Sequence, residues 1–131
     1  MIDRLKEFFK NDVFAMSLGI EIVEAENGRG VCTMKKRPDL LNAKNVVQGG
    51  ALYTLGDFAF AVAAASTGKV CVTSTLSMSY LKPAMGDNFR AVATPVHLGK
   101  KLYNYDVEIF DGDAVIAKLM VMGCVLGDAE F

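Results

Sequence analysis

The chain is expected to fold as an α+β protein, a curved antiparallel sheet of five to six strands wrapped around one long central helix. Two observations predict this. The run from Gly49 to Ser66 is apolar nearly all round at helical spacing, so a helix there must be buried. The rest of the chain beyond it alternates apolar and polar side chains with a period of two, as half-buried antiparallel strands do. The most economical way to bury such a helix beside such strands is a sheet that curls about it.

The elements follow in order. Ile2, Leu5, Phe8 and Phe9 recur at helical spacing and open the chain with a short amphipathic helix. Two strands, Gly19 to Ala25 and Gly30 to Lys36, are joined by the turn Glu26 to Arg29, where Asn27-Gly28 is a strong hairpin signal. Arg37 to Val47, with Pro38 near its start, is a polar loop. The central helix then runs from about Gly49 to Ser66 and is closed by Thr67-Gly68. Four strands, roughly 70–81, 88–98, 102–111 and 114–126, complete the chain. They are separated by Pro83 to Asp87, Gly99 to Lys101 and Asp111-Gly112. In the third strand Leu76, Met78 and Tyr80 oppose an uncharged hydroxyl face of Thr73, Thr75, Ser77 and Ser79. In the fifth, Tyr103, Tyr105, Val107 and Ile109 oppose Asn104, Asp106 and Glu108.

All 131 residues are expected to form one domain, 1–131, without repeat or linker. A hydrophobic fraction of 52%, slightly above the soluble average, suggests a subunit that also buries surface against copies of itself. The net charge of −1 excludes a general attraction to nucleic acid or anionic membrane. Cys32, Cys71 and Cys124 show no paired spacing, and Met1 to Arg4 lacks the basic and apolar regions of a signal peptide. Reduced thiols in a cytoplasmic protein are expected, with no metal and no disulfide. The apolar run is too short and too interrupted to span a membrane.

Asp57 is the residue to explain: either the fold supplies it a partner, with Thr54 or Tyr53 one turn back as candidates, or the carboxylate is there to do chemistry. No other charge lies between Lys44 and Lys69, and a carboxylate buried there without a partner costs several kcal/mol. At the start of the same helix, Gly49 and Gly50 offer backbone N–H groups and the positive end of the helix dipole to a developing negative charge. Glycine also lets a carbonyl group approach the backbone closely. Gly49 and Asp57 are eight residues apart, about 12 Å along a helix axis. One carbonyl group cannot readily touch both within a single chain. If both act on one carbonyl group, the site is expected to join Gly49 of one subunit to Asp57 of another, in at least a dimer.

The run Asn42 to Gly50, continuing through Leu55-Gly56-Asp57-Phe58-Ala59-Phe60-Ala61, resembles the signature of hotdog-fold acyl-CoA thioesterases of the PaaI-like and 4-hydroxybenzoyl-CoA thioesterase type. Leu18 to Glu21, Tyr80 to Ala84 with Gly86-Asp87, and His97 to Lys101 extend the resemblance over nearly the whole chain. It implies hydrolysis of an acyl-CoA thioester to a free acid and coenzyme A, with coenzyme A as part of the substrate and no separate cofactor. It also implies a homodimer or homotetramer with a site shared between subunits. The resemblance makes Asp57 the general base or nucleophile and the Gly49 N–H the oxyanion donor. Asn42 and Gln48 would position substrate, and Thr73 matches a hydroxyl that in some members holds the attacking water. Gly50 and Tyr53 are candidates for substrate contact, and Tyr53, Phe58 and Phe60 would suit an aromatic or medium-length acyl group. Lys100 and Lys101, with Lys82 and Arg90, are candidates for the phosphates of coenzyme A.

Plainer roles are open for several of these residues: Asp57 as a structural aspartate, Gly49-Gly50 as a plain loop-to-helix turn, Asn42 as a turn residue, Gln48 as a helix-end hydrogen-bonder, and the lysines as a solvated turn. Two departures from the family pattern stand out. Gln48 replaces a histidine and cannot exchange a proton near neutral pH. Gly56 replaces an alanine and makes room for a substrate group or a neighbouring helix. The rival to hydrolysis is a non-catalytic module that binds acyl-CoA or a related ligand. A dehydratase built on His97, the only histidine, is weaker because His97 lies outside the helix motif.

Overall fold

A computed structural model describes residues 1–131. The elements are α1 (Ile2–Phe9), α2 (Val13–Ser17), β1 (Glu21–Glu26), β2 (Arg29–Lys35), a single 3-10 turn (Pro38–Leu40), α3 (Gly49–Ala65), β3 (Lys69–Tyr80), β4 (Asn88–Leu98), β5 (Leu102–Asp111) and β6 (Ala114–Asp128). Six antiparallel strands make one sheet in the order β1-β2-β4-β5-β6-β3, and α3 packs across one face of it. This is the expected α+β architecture. No helix is long and apolar enough to cross a membrane.

Local chemistry explains the joints. Asn27 and Gly28 both take positive φ, 50° and 85°, as a two-residue hairpin loop requires. That hairpin is tied to the end of α3. Gly28 N–H donates to Ser66 Oγ at 2.8 Å, and the Tyr105 hydroxyl donates to the Gly28 carbonyl at 2.6 Å. Beneath it, β2 and α3 touch backbone to backbone at Gly30, where a Cβ would lie 2.9 Å from the Ala63 nitrogen. Gly30→Ala is therefore expected to cost about 1–3 kcal/mol of stability, checked by urea unfolding. On the far side, the Phe60 ring meets Tyr105 edge-on at 5.2 Å and fills the space that Gly123 leaves open.

The structure corrects the sequence expectations in four places. The segment after α1 forms α2, a short helix capped by Asp12, whose side chain accepts from the Ala15 N–H at 3.1 Å. α3 is not buried all round, because Gly49, Gly50, Tyr53, Thr54, Asp57 and Ala61 form an uncovered stripe at intervals of three to four residues. β3 carries a bulge between Thr73 and Thr75, so its alternation changes phase. Thr73 consequently turns towards α3, away from the outward-facing Thr75, Ser77 and Ser79. Finally, Gly56 faces neither substrate nor another helix. A Cβ there would sit 2.6 Å from a methyl of Leu119, so the glycine admits a leucine of β6.

Cys32 is buried, Cys71 and Cys124 are half-buried, and all three are free thiols. Burial pushes Cys32 up to about 12; burial and then the neighbouring Cys124 push Cys71 up to about 11. Neither is a nucleophile at neutral pH.

Candidate active site

Asp57 has its partner on the edge strand. The Thr73 hydroxyl donates to Asp57 Oδ1 at 2.6 Å, and the β3 bulge is what aims it there. Thr54, one turn back, is spent elsewhere, donating to the Gly50 carbonyl at 2.9 Å. Burial raises the Asp57 pKa above the ordinary aspartate value, the Thr73 hydrogen bond opposes that shift, and the like charge of Asp12 adds to it. The carboxyl group is thus a stronger base than a surface aspartate, yet held in one orientation. Thr73→Val should shift the acid limb of the activity profile upward and lower turnover by about tenfold, checked by pH-rate measurements.

The start of α3 is the second region that the sequence singles out. Gln48 is the N-cap, and its side-chain oxygen accepts from the Gly50 N–H at 2.6 Å. The Ala51 and Leu52 N–H groups reach the Gln48 carbonyl at 3.0 and 3.4 Å, which leaves the Gly49 N–H as the first-turn donor not spent inside the chain. The missing side chains have local explanations. A Cβ on Gly50 would lie 2.6 Å from Gln48 Oε1, and one on Gly49 would lie 3.1 Å from the Tyr80 ring. Tyr80, at the end of β3, also donates its hydroxyl to the Gly49 carbonyl at 2.9 Å.

The other predicted residues divide. Asn42 organises the loop before α3, its Oδ1 accepting from the N–H groups of Lys44 and Val46 at 2.8 and 3.3 Å. Tyr53 is exposed on the uncovered stripe, whereas Phe58 and Phe60 are core residues and cannot line an acyl site. Arg90 lies on the sheet face away from α3, with its guanidinium 4.7 Å from the Phe110 ring centre. Lys82 follows β3 at the Gly49 end of the molecule, and Lys100 and Lys101 occupy the β4–β5 turn at the other end. His97 is exposed in β4, apart from both Asp57 and the start of α3. No single subunit gathers the four basic residues at one point.

Two further features stand beside these residues, Tyr80 and a cleft. A cleft of about 300 Å³ opens beside Gln48 and Gly50, walled by Phe14, Leu18, Leu40, Leu41 and Ala51. It exists because α2 and the 3-10 turn stand against the start of α3. Asp12 before an apolar pair was the available signal for α2. Tyr80 opens the segment Tyr80 to Ala84 that extends the family resemblance, but the resemblance gives it no role.

The chain is similar to known proteins in both sequence and fold. Residues 44–118 match the thioesterase superfamily. The acyl-coenzyme A thioesterase PaaI of Escherichia coli (strain K12) is 38% identical over 102 residues, covering 77% of this chain and 73% of that protein. The structure of the E. coli PaaI protein from the phenylacetic acid degradation operon superposes with a TM-score of 0.89 at 31% identity, covering 95% of this chain and 91% of that one. A hypothetical thioesterase protein from Streptococcus pneumoniae TIGR4, solved with coenzyme A, gives 0.86 at 28% identity, covering 93% and 99%. With its match to the superfamily running from the loop before α3 into β6, the chain belongs to the thioesterase superfamily, is PaaI-like within it, and is a hotdog-fold thioester hydrolase.

Proposed function

We propose that the protein hydrolyses an acyl-CoA thioester to the free acid and coenzyme A in a site built from two subunits. The observation that carries this is the uncovered stripe of α3. It holds an aspartate fixed by Thr73 and, two turns away, the unspent Gly49 N–H. Both half-sites are tied to β3, Asp57 through Thr73 and Gly49 through Tyr80. β3 is an edge strand of 12 residues whose only charge is Lys69, a surface suited to pairing with a second copy. Antiparallel pairing of two β3 strands that sets Thr73 opposite Tyr80 brings Asp57 of one subunit to Gly49 of the other. The same pairing carries the turn holding Lys100 and Lys101 of the partner subunit towards Lys82, which would collect positive charge for the phosphates of coenzyme A.

In the reaction, the substrate carbonyl oxygen accepts from the Gly49 N–H, and the acyl group occupies the cleft beside Phe14. Asp57 removes a proton from water as the hydroxide adds to the carbonyl carbon. The tetrahedral adduct then expels the thiolate of coenzyme A, which takes up that proton. Direct attack by the carboxylate would instead give an anhydride that water opens, with the same net balance. Neither route asks Gln48 to move a proton. As an N-cap it keeps Gly50 N–H occupied and the helix start in place, so the absence of histidine there is compatible with turnover.

Release of free thiol from a panel of short, medium and aryl acyl-CoAs tests the proposal. Turnover of at least one class is expected, and tight binding with no thiol release would favour the binding module. Assembly as a homodimer or homotetramer belongs to the same proposal.

A further inference from the structure

We infer that Tyr80 is a positioning residue for the oxyanion donor, holding the Gly49 peptide in the orientation the reaction needs. The inference rests on the hydrolase reading for its catalytic consequence, but the geometry behind it stands alone. Two adjacent glycines at a helix start form the least restrained backbone available to a chain. An oxyanion donor must be fixed before the charge develops, or part of its effect is lost in reorganisation. Something has to hold Gly49.

Two contacts do so from outside the helix. The Tyr80 hydroxyl donates to the Gly49 carbonyl at 2.9 Å. The Tyr80 ring covers the position where a Cβ of residue 49 would be, with ring carbons and the hydroxyl oxygen 3.1 to 3.2 Å from it. On the other flank Gln48 Oε1 holds the Gly50 N–H at 2.6 Å. The Gly49–Gly50 peptide unit is therefore pinned at both ends, its oxygen by Tyr80 and its N–H by Gln48. The Gly49 N–H, one bond before that unit, is left free and aimed.

Tyr80 is a poor candidate for a core residue, being 53% exposed at the tip of an edge strand. Partial burial and then the nearby Tyr53 raise its pKa, so it stays a protonated donor through the neutral range. Its place on β3 also connects the donor to the strand proposed to pair with the other subunit, so the same edge would set both halves of the site.

The test is a double-mutant cycle on the full chain with Tyr80→Phe and Gly49→Pro, read by kcat and KM on an acyl-CoA that the protein turns over. Tyr80→Phe is expected to lower kcat by about tenfold with KM within about twofold, because it loosens the donor without removing binding contacts. In the Gly49→Pro background the same change should cost almost nothing, since no N–H remains to be aimed. Tyr80→Leu, lacking ring and hydroxyl, should be at least as impaired as Tyr80→Phe. In parallel, the Gly49 and Gly50 amides of glycine-labelled Tyr80→Phe should exchange faster with solvent while melting temperature and oligomeric state hold. Unchanged kcat, equal losses in both backgrounds, unchanged amide exchange, or dissociation to monomers would each overturn the assignment. Absence of thiol release by the wild-type protein would sink the hydrolase reading instead, and amide exchange would still decide whether Tyr80 fixes Gly49.

Discussion

Asp57→Asn is expected to lower acyl-CoA turnover by about three orders of magnitude while the protein folds and assembles normally. Asparagine has nearly the same shape and can still accept from the Thr73 hydroxyl, which reaches Asp57 Oδ1 at 2.6 Å in the native protein. What it lacks is the ability to take a proton or attack a carbonyl. The same variant should be at least as stable as the native protein at neutral pH. Burial, opposed by Thr73 and helped by Asp12, raises the folded-state pKa of Asp57. A raised carboxyl pKa contributes stability only while the group is protonated, and that contribution is lost as pH rises through the folded value. At neutral pH the ionised Asp57 is therefore a burden that asparagine removes. The gap in melting temperature between the two proteins should narrow as pH falls towards the point where Asp57 takes up its proton. A catalytic group that destabilises its own fold is the expected trade between activity and stability. The native enzyme should correspondingly lose activity on acidification at a pH above the ordinary aspartate range.

Gly49→Pro should lower kcat by about two to three orders of magnitude, the usual consequence of deleting an oxyanion donor. Proline is the substitution that removes the N–H while respecting the backbone. Gly49 is the first residue of α3, where proline's fixed φ suits the helix and its missing N–H breaks no helical bond. The preceding Gln48 already has φ −64° and ψ 137°, the extended conformation that a residue before proline favours. The added ring meets Tyr80 about where a Cβ would lie, 3.1 Å from its ring, and Tyr80 is exposed enough to give way. Far-ultraviolet circular dichroism should therefore show full helix content alongside the lost turnover. Native turnover in Gly49→Pro would remove the Gly49 N–H from the mechanism.

Much of this architecture is legible in the residues, because long elements carry strong periodicity. α3 and the strands from β4 to β6 announce themselves through apolar spacing, and Asn27-Gly28 announces its hairpin. What escapes is whatever depends on a second element. The β3 bulge is defined by its register against β6, so simple alternation put Thr73 on the hydroxyl face rather than towards Asp57. Gly56 could be understood only once Leu119 was beside it. Phe58 and Phe60 look like acyl-site aromatics in a linear motif, yet Phe9 and Tyr105 claim them for the core. α2 has only five residues, too short for periodicity to register. Asp57 and Gly49, by contrast, stand out as candidates because each is anomalous where it stands, one a charge in an apolar helix and the other half of a glycine pair at its start.

Subunit complementation tests the shared site most directly. Asp57→Asn and Gly49→Pro proteins, each nearly inactive, are mixed in equal amounts under conditions that allow subunits to exchange, and thiol release is then measured. A heterodimer holds one site in which Gly49 and Asp57 are both native and one in which both are altered. Random pairing in a two-fold dimer should then restore about a quarter of native activity. No recovery in a mixture shown to contain heterodimers would contradict a site built from two subunits.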